Sequence, residues 1–218
     1  VWSTGVSGGS ITYVGKFTGS SAASQHCFGW RMAMDDGYLL VGSPQDVAGT
    51  SGTTSHTKGY IYVFQPGGWG GAWNEVFKLQ RFYGRFSEGL DINVNSDGIR
   101  FCAGGPNYNS YQGIGVIYSK IGAWGTWTQE KTVYAPVSGM AYFGRGCATY
   151  ESFTVFGGPL YNGKKGQAWL YEKVGSDWTL RASMTHSGAA NDDFFGFAMD
   201  LTADIIMIGA SQDGPGAV

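Results

Sequence analysis

The chain has 218 residues, 43% of them hydrophobic, and no run of about 18 apolar residues that would read as a membrane-spanning helix. Lys and Arg number 14 against 16 Asp and Glu, a formal net charge of −2, and the basic residues are scattered, so nucleic acid and anionic lipid are disfavoured as partners and no membrane insertion is expected. Glycine at 37 residues and aromatics at 16%, with charged residues at only 14%, point to many short strands joined by tight turns.

In chain order, Ile11 to Phe17 reads as a short strand. Phe28-Gly29 follows, then LLVGSP closing at Pro44, Gly59-YIYVF, and a run from Trp73 to Leu79. The same four elements return as Glu88-Gly89, FCAGGP closing at Pro106, Gly113-IGVIY, and Trp127 to Val133. A third copy reads Phe143-Gly144, TVFGGP closing at Pro159, Gly166-QAWLY, and Trp178 to Met184. A fourth opens with Phe195-Gly196, continues through IMIGAS to Ser211, and begins a third element at Gly216-Ala217-Val218. The glycines of the first element are 60, 55 and 52 residues apart.

Each element is short, rich in Val, Ile, Tyr, Phe and Trp, and bounded by Gly, Pro, Asn, Asp or Ser, which is the signature of a strand. The expected unit is therefore a four-stranded antiparallel meander of roughly 55 residues. Such a sheet is apolar on both faces, and stacking successive sheets radially buries those faces, so the predicted architecture is an all-β β-propeller. It occupies residues 1–218 as one domain. Its repeats run over about 28–82, 83–137 and 138–190, with 1–27 ending a blade and 191–218 starting one. Glycine at the Phe-Gly and Gly-Gly-Pro positions permits positive φ and close backbone approach, and the aromatic partner is expected to wedge between blades.

The two ends of the chain complement each other. Ala217 and Val218 start a third strand that Val1 and Trp2 would finish, because Trp2 precedes Ile11 by the same nine residues that separate Phe64 from Trp73. Three arrangements satisfy this register: a closed four-bladed ring, an excerpt of a longer array, or strand completion between subunits in a head-to-tail fibre.

The combination of an FG dipeptide, a strand, an SDG-like turn and a VGAP-like turn, four times over nearly the whole chain, resembles the FG-GAP repeats of integrin-type proteins. The second copy departs from the pattern at Glu88, where Phe86 offers an alternative wedge. The resemblance implies a β-propeller found at cell surfaces or outside the cell, acting in binding and adhesion rather than in chemistry.

Calcium is the cofactor such repeats suggest, and Asp91, Asn93, Asn95 and Asp97 alternate as ligands would. The glycine at 98 falls too late for a calcium loop, however, and Ile92 and Val94 mark a strand with one polar face, so no metal or other cofactor is expected. No catalytic residue is expected either: His26, His56 and His186 read as exposed loop histidines, and Asp192-Asp193 as a polar loop before a strand. Trp69 and Trp124, beside glycines in the loops joining third to fourth strands, are the candidates for binding a glycan or a protein. Cys27, Cys102 and Cys147 leave open one bridge plus one thiol or three thiols. Two functional readings follow: a non-catalytic extracellular binding or adhesion module, or a structural subunit of a filament or matrix.

Overall fold

The computed structural model describes residues 16–22, 26–44, 59–67, 72–81, 85–122 and 125–211, and the backbone of 2–4 and 11–13. The chain is all-β. Three four-stranded antiparallel meanders follow one another: β3 (Arg31–Asp35), β4 (Tyr38–Ser43), β5 (Gly59–Gly67) and β6 (Ala72–Arg81); β7 (Gly89–Asn95), β8 (Gly98–Gly105), β9 (Ile114–Lys120) and β10 (Thr128–Tyr134); β11 (Gly146–Tyr150), β12 (Phe153–Gly158), β13 (Gln167–Val174) and β14 (Asp177–Met184). Two further sheets have two strands each, β1 (Trp2–Thr4) with β2 (Ile11–Tyr13), and β15 (Phe195–Leu201) with β16 (Ile206–Ala210). The expected four-stranded unit is thus complete three times among the described residues. The third element of the fourth copy, Gly216 to Val218, lies outside them, as does Val1.

The sheets stack in sequence order through their first strands, β3 on β7, β7 on β11 and β11 on β15. Apolar side chains fill each interface. Leu40, Ile61 and Val63 of the first sheet meet Phe86, Leu90 and Phe101 of the second; Cys102 and Ile117 meet Phe143, Phe156 and Trp169 of the third; Ala148 and Val155 meet Phe195 and Ile208 of the last. The far face of the first sheet, with Val41, Tyr62 and Phe64, is covered by Phe17 and Phe28. Phe86, Phe143 and Phe195 are the wedges between sheets.

The wedge has a backbone signature that the letters conceal. In every copy the phenylalanine sits between two residues of positive φ: Cys27 (53°) and Gly29 (91°), Arg85 (53°) and Ser87 (80°), Tyr142 (61°) and Gly144 (84°), Phe194 (58°) and Gly196 (92°). The N–H after the phenylalanine donates to the second strand of its own sheet, Gly29 to Gly42 at 3.0 Å, Ser87 to Gly104 at 2.8 Å and Gly144 to Gly157 at 2.8 Å. This corrects the sequence alignment of the second copy. Its equivalent of Phe-Gly is Phe86-Ser87, not Glu88-Gly89, and Gly89 instead begins β7 as Gly146 begins β11.

The left-handed kink allows neighbouring backbones to touch. A Cβ at Gly104 would overlap the Gly144 carbonyl of the next sheet, and a Cβ at Gly144 would lie 2.5 Å from Ile114 O and 2.8 Å from Gly104 Cα. Pro44, Pro106 and Pro159 are buried just after these second-strand glycines. Beyond the last two prolines, the turns Tyr108–Tyr111 and Tyr161–Lys164 run left-handed, with Asn109, Ser110 and Tyr111 in one and Asn162, Gly163 and Lys164 in the other all at positive φ. Their carbonyls receive the next wedge: Tyr142 N–H donates to Tyr111 O at 2.8 Å, and Phe194 N–H to Lys164 O at 2.9 Å.

Two substitutions test this junction. Phe143→Ala removes a fully buried ring and is expected to destabilise by about 3–5 kcal/mol. Ser87→Gly relieves a strained φ and a buried hydroxyl without a hydrogen-bond partner, against a smaller gain in unfolded-chain entropy, and is expected to stabilise by about 1 kcal/mol in urea melts. A loss of stability from Ser87→Gly would show that residue 87 is not the equivalent of Gly29 and Gly144.

Candidate functional site

Fourth strands pair with third strands through a bulge at the same place in every complete sheet. The register skips between Phe64 and Val63, between Gln129 and Lys131, and between Tyr171 and Leu170, leaving Val76, Glu130 and Arg181 as the extra residues, each three positions after the strand's tryptophan. A bulge re-aims the side chain it carries. In the second sheet that side chain is Glu130, and it turns into a cleft of about 290 Å³ between the second and third sheets.

The cleft is built from turns and strand ends. Asn95, Asp97 and Gly98 come from the β7–β8 turn, Arg100 from β8, Ser119 from β9, Ser152 from the β11–β12 turn and Lys173 from β13. Glu130 binds across the interface: Lys173 Nζ lies 2.5 Å from Oε1, Trp178 Nε1 donates to Oε2 at 2.8 Å, and Arg100 Nε lies 3.4 Å from Oε2. Arg100 rests on the Trp178 ring at 5.3 Å and donates to Glu151 O. Burial on its own would raise the Glu130 pKa. The hydrogen bonds from Lys173, Ser119 and Trp178, with the charge of Arg100, outweigh it and hold the carboxyl at about 2. Glu130 is therefore a fixed anion and acceptor at any ordinary pH, suited to receiving hydroxyl hydrogens and not to donating a proton.

The structure divides the four residues singled out for calcium. Asn95 and Asp97 line the cleft, where Asn95 Oδ1 accepts from Asp97 N–H at 2.9 Å. Asp91 and Asn93 instead tie sheets together: Asp91 Oδ2 accepts from Thr149 N–H at 2.7 Å and Asn93 Oδ1 from Glu151 N–H at 2.8 Å. Asp35 makes the corresponding bond to Val94 N–H at 2.7 Å. Among the described residues no group of three or more His, Cys, Asp or Glu side chains converges to hold a metal ion. Trp69 and Trp124 lie outside the described residues, as do His56, Ala217 and Val218, and of Trp2 only the backbone, in β1, is described.

His26 and His186 are not exposed loop residues. Each is half-buried and stacked on an aromatic ring, His26 on Tyr60 at 6.1 Å and His186 on Phe195 at 6.4 Å. Asp192 and Asp193 point apart, the first paired with Lys164 at 2.7 Å, the second buried and accepting from Ala190 N–H. Cys102 and Cys147 are buried thiols on facing sheets that hydrogen-bond to each other, and burial pushes both pKa values up.

A second, smaller cavity of about 90 Å³ lies where the first-strand ends of all four copies meet, bordered by Arg31, Glu88 to Leu90, Arg145 to Cys147, and Phe197 to Met199. Glu88, which broke the sequence pattern, is its hub. Its side chain is 2% exposed, with Arg85 Nε 2.5 Å from Oε1 and Arg145 Nε 3.5 Å from Oε2. Arg31 Nε donates to the Glu88 carbonyl at 3.1 Å.

No protein-family model matches the chain, and no curated protein sequence matches it.

Asp91 sets a pH dependence. Burial, more than the nearby charges of Asp200 and Asp35, raises its pKa from 3.8 to about 6 against the Thr149 hydrogen bond. The folded state thus holds this proton more tightly than the unfolded chain, and stability falls as pH rises from about 4 to about 6. Asp91→Asn keeps an acceptor for Thr149 and is expected to flatten that slope and to raise stability at pH 7 by on the order of 2 kcal/mol. Urea melts between pH 4 and pH 7 measure both; an unchanged slope would contradict the assignment.

Proposed function

We propose that the chain is a β-propeller of the FG-GAP type and a non-catalytic binding module, acting outside the cell, that holds a glycan in the cleft between its second and third sheets. The carrying observation is Glu130, fixed as an anion by three partners from two sheets and set in a cleft lined also by the hydroxyls of Ser119 and Ser152, the amide of Asn95, a second carboxylate, Asp97, the cations Arg100 and Lys173, and the apolar Ile99 and Ile121. That set suits a polyhydroxylated ligand, which presents donors and acceptors on every face. Propeller geometry is supported by the serial stacking of first strands and by the cavity that all four copies border. The FG-GAP assignment rests on the Phe-Gly dipeptides of three copies, on the small-residue turns closing at Pro44, Pro106 and Pro159, and on the repeated positive-φ wedge.

Titration calorimetry against a panel of neutral and acidic oligosaccharides tests the reading. Binding is expected for at least one class, weakened about tenfold or more by Asp97→Ala or Ser119→Ala at the rim. A panel without binders, or a binder indifferent to both substitutions, would overturn it.

The filament reading keeps one observation in its favour. The sheets β1–β2 and β15–β16 together hold the strands of one complete unit, and the outward faces beside the stack's two ends expose Met32 and Met34 on one side and Met207 on the other, all more than half exposed. Sedimentation over a hundredfold concentration range decides: growing open-ended assemblies, suppressed by Met34→Glu, would favour the filament, and a concentration-independent monomer would eliminate it.

A further inference from the structure

Among the described residues, cations outnumber carboxylates around the axial cavity. Arg31 and Arg145 border it with one carboxylate, Glu88, and a third guanidinium, Arg85, pairs with that same carboxylate from outside the lining. Arg145 Nη1 is buried and has no hydrogen-bond partner among the described residues, and Glu88 Oε2 likewise accepts none. The next carboxylate along β7, Asp91, is spent on the Thr149 amide of the neighbouring sheet. A buried cation without a full set of acceptors is costly to hold, and truncating around it leaves the penalty in place.

Geometry gives the excess charge a direction. Arg145 sits over the Phe197 ring with Cζ 4.1 Å from its centroid, which holds the guanidinium at the cavity wall. Arg31 approaches from the first sheet and is anchored through Nε, leaving its terminal nitrogens beyond that bond. Two planar forks, Arg31 of the first sheet and Arg145 at the start of the third, border a cavity of about 90 Å³, which has room for a small oxyanion and not for a drug-sized ligand, which fills some 300 Å³ or more.

We infer that the axial cavity bordered by Arg31, Glu88 and Arg145 is a binding site for a small free oxyanion, of carboxylate or phosphate type, that clamps the first strands of successive sheets. Burial works in the same sense, since it drags the Arg145 guanidinium below its usual range and lifts the Glu88 carboxyl in spite of the arginines around it; a bound anion would reverse the first effect. The site is independent of the glycan cleft, which lies between different lining residues.

Thermal melts of the intact chain in inorganic phosphate, in acetate, and in chloride at matched ionic strength test the inference, with isothermal titration to read affinity directly. A saturable rise in Tm is expected with phosphate or acetate and not with chloride. Arg145→Gln is expected to weaken the apparent affinity about tenfold or more. Glu88→Gln removes the competing carboxylate and is expected to strengthen it, so that the site is tested even if Arg145→Gln fails to fold. Equal responses to all three anions would mean general screening, and no oxyanion response in the wild type, or a weaker one in Glu88→Gln, would overturn the site. Because none of these variants touches the glycan cleft, loss of oligosaccharide binding there leaves this result standing, and the reverse also holds.

Discussion

The closest constraint in the molecule is backbone against backbone where one sheet meets the next. Gly104 presses on the Gly144 carbonyl, Gly157 on the Gly196 carbonyl, and Gly42 on the hydroxyl and carbonyl of Ser87, so that a Cβ on any of these three glycines would overlap its neighbour. That approach goes with a chain that turns twice through positive φ around a phenylalanine, a double turn that recurs in all four copies and buries the ring at Phe86, Phe143 and Phe195. Once the backbones are that near, the phenylalanine fills the space beside them, and the left-handed turns after Pro106 and Pro159 are shaped to accept the arriving N–H groups. The strain of several L-residues at positive φ is offset by burial of the wedge and by the hydrogen bonds it secures.

Polar ties complete what packing begins. At the first strands, Asp35, Asp91 and Asn93 each accept a backbone N–H from the following sheet, which sets the register between sheets that share no ladder. On the outer strands, Glu130 gathers Lys173, Trp178 and Arg100. At the cavity bordered by the first strands, Glu88 gathers the arginines. The inter-sheet interface is therefore both the source of stability and the place where cavities with fixed charges form, and both proposed binding sites lie in it.

The strands were legible because alternating aromatic and β-branched runs bounded by glycine and proline leave little choice of structure, and the repeat fixed their order. The second wedge was legible only as the alternative that Phe86 offered, because the glycine of that copy stands at Gly89 whereas the positive-φ conformation falls on Ser87. Asp91 and Asn93 carried the right polar alternation for one face of β7, but their partners are backbone amides of another sheet, which no local pattern reveals. Glu130 had no signal in one copy alone. Aligning the fourth strands on Trp73, Trp127 and Trp178 would have placed it at a recurring position, yet the bulge there is a property of strand pairing. The left-handed turns were hidden in the shared Tyr-Asn of GGPNYN and GGPLYN.

The first strand of the first copy and the first strand of the last border the same cavity, and in the proposed propeller this is because the four copies curl around one axis. Spin labels on cysteines introduced at Met32 and Ala198, with the exposed Cys27 changed to Ser, measure this directly by pulsed electron resonance. The curled arrangement predicts a single short distance, under about 20 Å. A flat stack of four sheets spaced ~10 Å apart would instead give about 30 Å, and a distance in that range would contradict the account.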